Sequence, residues 1–302
     1  MARHARHPLR DLCEASALRG LMGCFRALPY GASLAAGRAL GRTVGWADRS
    51  HLERVRAQLT EAFGEGSPES RLAAAVYAHV GMCFAEMAWV EGRARRGEIG
   101  AWVRIEGMEH VQAALSKGRG LAIVSGHVGN WELGAVAMAA AGIPLSIVAR
   151  PLDNPRLDAI LVAIRRAGGS EVIGKRNALR ATREILARGR AMAILIDQDA
   201  REHGVFVPFF GKEASTIPSI AAITQRAGAP LVVTAMRRSA DHLTHTLTFE
   251  PVEPPAPSGD RIEDARRLTA LLTAKLEARI RLAPEQWLWM HQRWRTRPRP
   301  GG

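Results

Sequence analysis

The 302-residue chain carries 42 Lys and Arg against 29 Asp and Glu, a formal net charge of +13, and 47% of its residues are hydrophobic. That is enough apolar material for a sizeable core in one large domain or two small ones. The charge points to acidic partners: nucleic acid, anionic lipid or an acidic carrier protein. Nucleic acid is set aside, because the basic residues are scattered and no Gly-rich RNA motif or helix-turn-helix pattern accompanies them. Three widely spaced cysteines, Cys13, Cys24 and Cys83, with no Cys-x-x-Cys, fit a reducing compartment and argue against a disulfide scaffold or a zinc site.

In chain order, residues 8–28 place Leu18, Leu21, Met22, Phe25 and Leu28 at helical spacing, with Arg19 and Arg26 elsewhere on the wheel. Those arginines interrupt the apolar stretch, so no secretory signal is expected. The small-residue run GASLAAGRALGRTVGW follows. Residues 1–48 read as an amphipathic helical region, either packed on its own domain or lying in a membrane interface with arginines toward anionic headgroups. Residues 50–96 look helical, with a start at Ser67-Pro68. Cys83, between Met82 and Phe84, reads as core. The longest uncharged stretch, Leu133–Ala149, is broken by Gly142 and Pro144 and is read as helix, turn and strand rather than a membrane span.

From about residue 102 short apolar runs alternate with helical patterns. The runs are 121–126, 144–150, 171–174, 191–197, 230–238 and 243–250; helices are expected at 131–141, 155–168, 177–189 and 217–228. This alternation predicts an α/β fold: a mostly parallel central sheet with helices on both faces, occupying residues 49–302. Residues 251–259, PVEPPAPSG, form a stiff loop before a charged helix at 260–282, and a Trp-rich tail ends the chain.

The segment IVSGHVGNWELG (123–134) is the candidate site. Ligands of an open α/β sheet bind beyond the carboxyl ends of its strands, and His127 follows such a strand. Gly126 and Gly129 permit tight backbone geometry; Asn130 is a plausible N-cap, with Trp131 and Glu132 in the first helical turn. Five residues apart on one helix, His127 and Glu132 would diverge by about 140°, but across a strand–turn–helix junction they can meet. A neutral imidazole can take a proton from an attacking hydroxyl while a carboxylate on its other nitrogen fixes the tautomer. Glu132, near a helix N-terminus, is expected to stay ionised. A capping or core histidine is the plainer alternative. Ser125 lacks the Gly-x-Ser-x-Gly elbow, so a serine hydrolase is not expected.

HVGNWE fits the His-x4-Asp/Glu signature of glycerolipid acyltransferases, and as GHVGNWELG it resembles the lipid A biosynthesis acyltransferases, the lauroyl and myristoyl transferases of Gram-negative bacteria. RPLDNPRLD (150–158), DQD (197–199), GVFVPFFGKEAST (204–216) and PEQWLWMHQRWRTRP (284–298) resemble that family in the same order, over nearly the whole chain. The resemblance implies a glycerolipid acyltransferase-like fold and transfer of a fatty chain from acyl-carrier protein to a hydroxyl of a lipid A precursor. It places the reaction at the cytoplasmic face of the inner membrane. It also implies His127 as general base and Glu132 as its catalytic partner. Acyl-carrier protein, an anionic glycolipid acceptor and the membrane surface are the expected partners. No cofactor is expected beyond acyl-carrier protein or acyl-CoA as co-substrate. Another glycolipid or membrane lipid is the alternative acceptor, and a non-catalytic lipid-binding protein of the same fold is the second alternative.

The remaining blocks supply substrate-binding candidates. Arg150 ends a strand and suits a phosphate or a developing oxyanion; a surface ion pair is the alternative. Asp197 and Asp199 end another strand, where one of them is a second orienting carboxylate, an acceptor contact or a turn cap. No metal is expected, since a thioester already carries a good leaving group. Phe209 and Phe210 can wall an acyl-chain pocket or be plain core. Ser215 and Thr216 are read as a helix start able to hold a phosphate. Trp287, Trp289 and Trp294 form either an interfacial belt or a segment packed back on the sheet.

Overall fold

A computed structural model describes residues 7–66, 69–174 and 178–298. Four helices open the chain: α1 (Pro8–Ala27), α2 (Tyr30–Ala47), α3 (Arg49–Phe63) and α4 (Glu69–Arg95). The expected helix start at Ser67-Pro68 lies outside the described residues. A strand β1 (Val103–Glu106) and helix α5 (Met108–Leu115) follow, and then the alternation begins. Its elements are β2 (Leu121–Ser125), α6 (Trp131–Ala140), β3 (Leu145–Ala149), α7 (Pro155–Ala167), β4 (Glu171–Gly174), α8 (Ala178–Ala187) and β5 (Ala191–Leu195). A hairpin, β6 (Val205–Phe209) and β7 (Lys212–Thr216), precedes α9 (Ser219–Ala227), β8 (Leu231–Arg238), β9 (His245–Val252) and α10 (Arg261–Leu282).

Seven strands form one sheet in the order β1-β9-β8-β2-β5-β3-β4. The five strands from β8 to β4 run parallel, while β9 pairs antiparallel with β8 and carries β1 with it. Alternate residues of a strand face opposite sides, and both sides are covered. In β2, Ala122 and Val124 join the core beneath α9, α10 and the C-terminal segment, while Leu121 and Ile123 join the core beneath α5, α6 and α7. This accounts for the unbroken apolar character of LAIV, since a strand buried on both faces has no polar side.

The structure departs from the sequence expectations at the hairpin. Residues 215–216 do not open a helix: they end β7, and α9 begins at Ser219 behind Pro218. A helix start and a β-branched strand end share the pattern Ser-Thr-Ile-Pro, and pairing of Ser215 with Phe206 and Thr216 with Val205 selects the strand.

The N-terminal helices pack on the rest of the chain. Met22 and Phe25 of α1 join the core shared with α6 and α7. By length and composition α4 could cross a membrane, but 67% of its most apolar window is buried against the protein. The small residues of α2 let it lie against α4 backbone to backbone: a Cβ on Gly41 would stand 2.1 Å from the Tyr77 carbonyl oxygen. Backbone cannot give way as a flexible side chain can, so Gly41→Leu is expected to cost about 3 kcal/mol or more. A thermal melt should record that as a drop of several degrees, with Gly20→Leu, which meets nothing within 4 Å, as the control.

Candidate active site

His127 and Asp197 come together through sheet register. Strands β2 and β5 are parallel neighbours with Ser125 opposite Leu195. Two residues beyond each strand, the same offset brings His127 abreast of Asp197. The Asp197 carboxylate accepts from His127 Nδ1 at 2.8 Å, from the His127 backbone N–H at 2.6 Å and from Trp287 Nε1 at 2.7 Å. Burial pushes the Asp197 carboxyl up, but the His127 charge and these donors outweigh it and hold the group down at about 2. An ionised carboxylate can only accept, so in the neutral imidazole the proton sits on Nδ1 and Nε2 is left as a base.

Both glycines of the motif are required by this arrangement. A Cβ on Gly126 would stand 2.9 Å from an Asp197 carboxylate oxygen and 2.8 Å from Leu276. Gly129 has φ +62°, and a Cβ there would meet the Met236 carbonyl oxygen at 2.2 Å. Asn130 caps α6 as expected, its Oδ1 accepting from the Leu133 N–H at 3.1 Å.

The His127 ring lies between two aromatic groups. Trp131 meets it edge-on at 4.9 Å between centroids and His291 at 4.7 Å. The C-terminal segment that brings His291 is strapped to the turn: Gly129 N–H donates to the Gln286 carbonyl at 2.8 Å, and Leu288 N–H donates to the His127 carbonyl at 3.0 Å. Burial and the neighbouring His127 push His291 below its ordinary value, which favours a neutral second imidazole. His291 was not singled out in the sequence, although it lies inside the block 284–298; a histidine among tryptophans was the available signal.

Other residues fall differently from expectation. Glu132 does not hydrogen-bond His127. It forms a bidentate pair with Arg165 of α7, with Nε–Oε2 at 2.7 Å and Nη2–Oε1 at 2.6 Å. The first turn of α6 packs beside α7, so the Glu132 carboxylate meets Arg165 instead. Arg150 makes an exposed ion pair with Asp153 at 3.2 Å. Asp199 accepts from Thr296 Oγ1 at 2.9 Å. Ser215 Oγ donates to the Arg201 carbonyl, and Thr216 Oγ1 accepts from the buried Arg293 guanidinium, so neither hydroxyl is free at a helix end. Phe209 and Phe210 pack edge-on with each other and with Trp287, Trp289 and Trp294, all of them buried. The tryptophans thus pack back on the sheet.

Behind the turn sits a buried charged cluster that the sequence reading missed. Glu86 of α4, with no exposed surface, accepts from Tyr30 Oη at 2.5 Å, from Asn130 Nδ2 at 2.7 Å and from His245 Nε2 at 2.9 Å. Arg238 grips the same carboxylate with both terminal nitrogens, at 3.0 and 2.7 Å. Burial alone would raise the Glu86 carboxyl, but His245 and Arg238 drive it well below the usual range. One carboxylate therefore ties α2, α4, β8, β9 and the cap of α6 together.

Beside it, burial and the nearby Arg238 push the His79 imidazole down to about 3. His79 is neutral in the folded state at pH 5, whereas the unfolded chain protonates it below about 6.5. Its contribution to stability is therefore lost as pH falls from about 6.5 toward 3. Between pH 7.5 and 5.5 the wild type should lose about 1.4 kcal/mol more than His79→Gln in urea unfolding.

A cavity of about 1230 Å³ lies away from this site. It is lined by Arg119, Pro230, Leu231 and Pro251, at the end of the sheet opposite His127. Among the described residues no group of three or more His, Cys, Asp or Glu is placed to hold a metal ion.

The family model of the bacterial lipid A biosynthesis acyltransferases matches residues 2–296. The chain is 30% identical over 271 residues to the lipid A biosynthesis palmitoleoyltransferase of Escherichia coli, covering 86% of this chain and 85% of that one. It is 30% identical over 279 residues to the lipid A biosynthesis lauroyltransferase of the same organism, covering 90% and 88%. Over 127 residues, 41% of each chain, it is also 30% identical to a phosphatidylinositol mannoside acyltransferase of Mycolicibacterium smegmatis.

Proposed function

The chain belongs to the bacterial lipid A biosynthesis acyltransferase family and is an acyltransferase; from this premise we propose that it moves a fatty acyl chain from an acyl-carrier-protein thioester to a hydroxyl of a lipid A precursor, with His127 as general base. The observation that carries the reading is the hydrogen bond between His127 Nδ1 and the buried, ionised Asp197, which makes Nε2 the base of the neutral imidazole. Nε2 takes the proton of the acceptor hydroxyl as its oxygen attacks the thioester carbon. A tetrahedral intermediate forms, the carbon–sulfur bond breaks, and the imidazolium returns the proton to the departing thiolate. The products are an ester and the free carrier thiol, with no acyl-enzyme.

Asp197 orients His127 and stabilises its charged form. Glu132 and Arg165 brace the first turn of α6 against α7 and so hold Trp131 on the His127 ring. Acting as one unit, Glu132→Gln and Arg165→Gln should each lower kcat by up to about 10²-fold. The double variant should be no worse than the poorer single one, a non-additivity that steady-state kinetics reads directly.

The reaction takes place at the cytoplasmic face of the inner membrane. Of the thirteen large apolar side chains left exposed among the described residues, seven lie between Leu9 and Trp46, interleaved with Arg10, Arg19, Arg26, Arg38 and Arg42. That combination suits an interface of acyl chains and anionic headgroups. The positive charge also suits an acidic carrier protein.

A second acceptor, another glycolipid, is supported by the mycobacterial relative. Mass spectrometry of lipid A from cells with and without the gene decides between them. Loss of one acyl chain, restored by the wild type and not by His127→Ala, is the expected result. An unchanged lipid A with another glycolipid altered selects the second acceptor. Equal rescue by both forms removes His127 as the base and overturns this mechanism.

A further inference from the structure

A cavity of about 240 Å³ lies between α2, α4 and the turn that joins β8 to β9. It is not the His127 centre: Asp197, Trp131 and His291, which touch the His127 ring, do not line it. Its wall on α2 carries Arg38 and Arg42, one helical turn apart, and its wall on α4 carries Arg71. The alanines of α4 at 74, 75 and 78 keep that wall low. Arg238 lies at the base, neutralised by Glu86 but with its Nε buried and without a partner. Glu285 is the one carboxylate among the lining residues.

The guanidinium groups of Arg38, Arg42 and Arg71 form no hydrogen bond or ion pair among the described residues. Some surface arginines, such as Arg95, Arg180 and Arg266, pair with a carboxylate on their own helix, and others, such as Arg119 and Arg226, do not. Here three stay unpaired around one concavity, and the positive field of Arg38 and Arg238 reaches His242 at its rim, pushing that imidazole below its ordinary value after burial. Converging like charges repel one another unless an anion is held between them. Planar, always-charged guanidinium forks match the oxygens of a phosphate. The volume accommodates one such group with part of what it is attached to. The same helix exposes Leu40, Val44 and Trp46 within four residues of Arg42, so the basic cluster lies on an element that also presents apolar surface.

We propose that this cavity is a binding site for a phosphate group, distinct from the reaction centre, and that the headgroup of an anionic membrane lipid supplies it. The acyl-transfer reading does not depend on it, because the site is tested by binding alone.

The test uses the full chain in about 0.15 M salt, where long-range attraction is screened. Sedimentation is measured with phosphatidylcholine vesicles and with vesicles that also contain phosphatidic acid. Wild type is compared with a triple variant, Arg38→Gln, Arg42→Gln and Arg71→Gln. The control, Lys117→Gln, Arg119→Gln and Arg226→Gln, removes the same charge from the large cavity at the other end of the sheet. Circular dichroism establishes that both variants fold.

Wild type and control are expected to bind the phosphatidic acid vesicles at least about tenfold more tightly than the neutral ones, and the first variant is expected to lose that preference. Equal loss in both variants assigns the binding to net charge and overturns the site. A melting temperature raised by millimolar inorganic phosphate in wild type but not in the first variant, without vesicle preference, keeps the phosphate site and overturns the lipid source. Neither vesicle preference nor a phosphate-induced shift overturns both.

Discussion

Asp197→Asn is expected to lower kcat by about 10³–10⁴-fold while circular dichroism stays that of the wild type. The carboxylate receives three N–H donors: the His127 ring, the His127 backbone and the Trp287 indole. An amide has one oxygen and an NH2 group, so at least one of those donors faces another donor. The lowest-cost escape is for His127 Nδ1 to become the acceptor, which moves the ring proton to Nε2 and removes the base. The imidazolium formed during transfer also loses its counter-charge. Acyl-transfer kinetics with each variant and a fixed acceptor measure the effect. A fall below tenfold would show that the Asp197 hydrogen bond does not govern the base.

Glu86→Ala has the largest expected effect on stability. The substitution strands the Arg238 guanidinium in a place where it is only 2% exposed, and it removes the acceptor of Tyr30, Asn130 and His245. Breaking a buried pair by deleting one partner costs about 3–5 kcal/mol, a large part of the roughly 5–15 kcal/mol available to a folded domain. The expected outcome in urea unfolding is a loss of unfolding free energy of that size, or insoluble protein. Glu86→Gln keeps one acceptor oxygen but loses the charge and should fall between the alanine variant and wild type. Because Asn130 caps α6, the surviving folded fraction of Glu86→Ala should also transfer acyl chains more slowly.

The alternation of apolar runs and helical patterns was legible in the sequence because a parallel strand buried on both faces has no polar residue to disguise it. The elements from β2 to β5 fall within a few residues of their expected bounds. The turn that carries the candidate site was legible too, from two glycines around a histidine at the carboxyl end of a strand. The identity of the histidine's carboxylate was not. Glu132 is near in sequence, Asp197 is near in space, and only the pairing of β2 with β5 at an offset of 70 residues brings the latter alongside. Strand order is a long-range property that periodicity does not encode. Ser215 and Thr216 misled for a local reason, since β7 is short and its pairing with β6 decides its state. Glu86 left a trace that passed unread: it sits among Met82, Cys83, Ala85 and Val90 on the buried side of α4, where a solvated glutamate has no place.

The most direct test of the central claim is transfer in a purified system. The enzyme is given an acyl-carrier-protein thioester with a labelled chain and a purified lipid A precursor, and the product is weighed by mass spectrometry. The expected result is a mass increase of one ester-linked chain with release of one carrier thiol, and a rate about 10²–10⁴-fold lower for His127→Ala. Transfer by His127→Ala at the wild-type rate, or a wild-type enzyme that acylates no hydroxyl of the precursor, would contradict it.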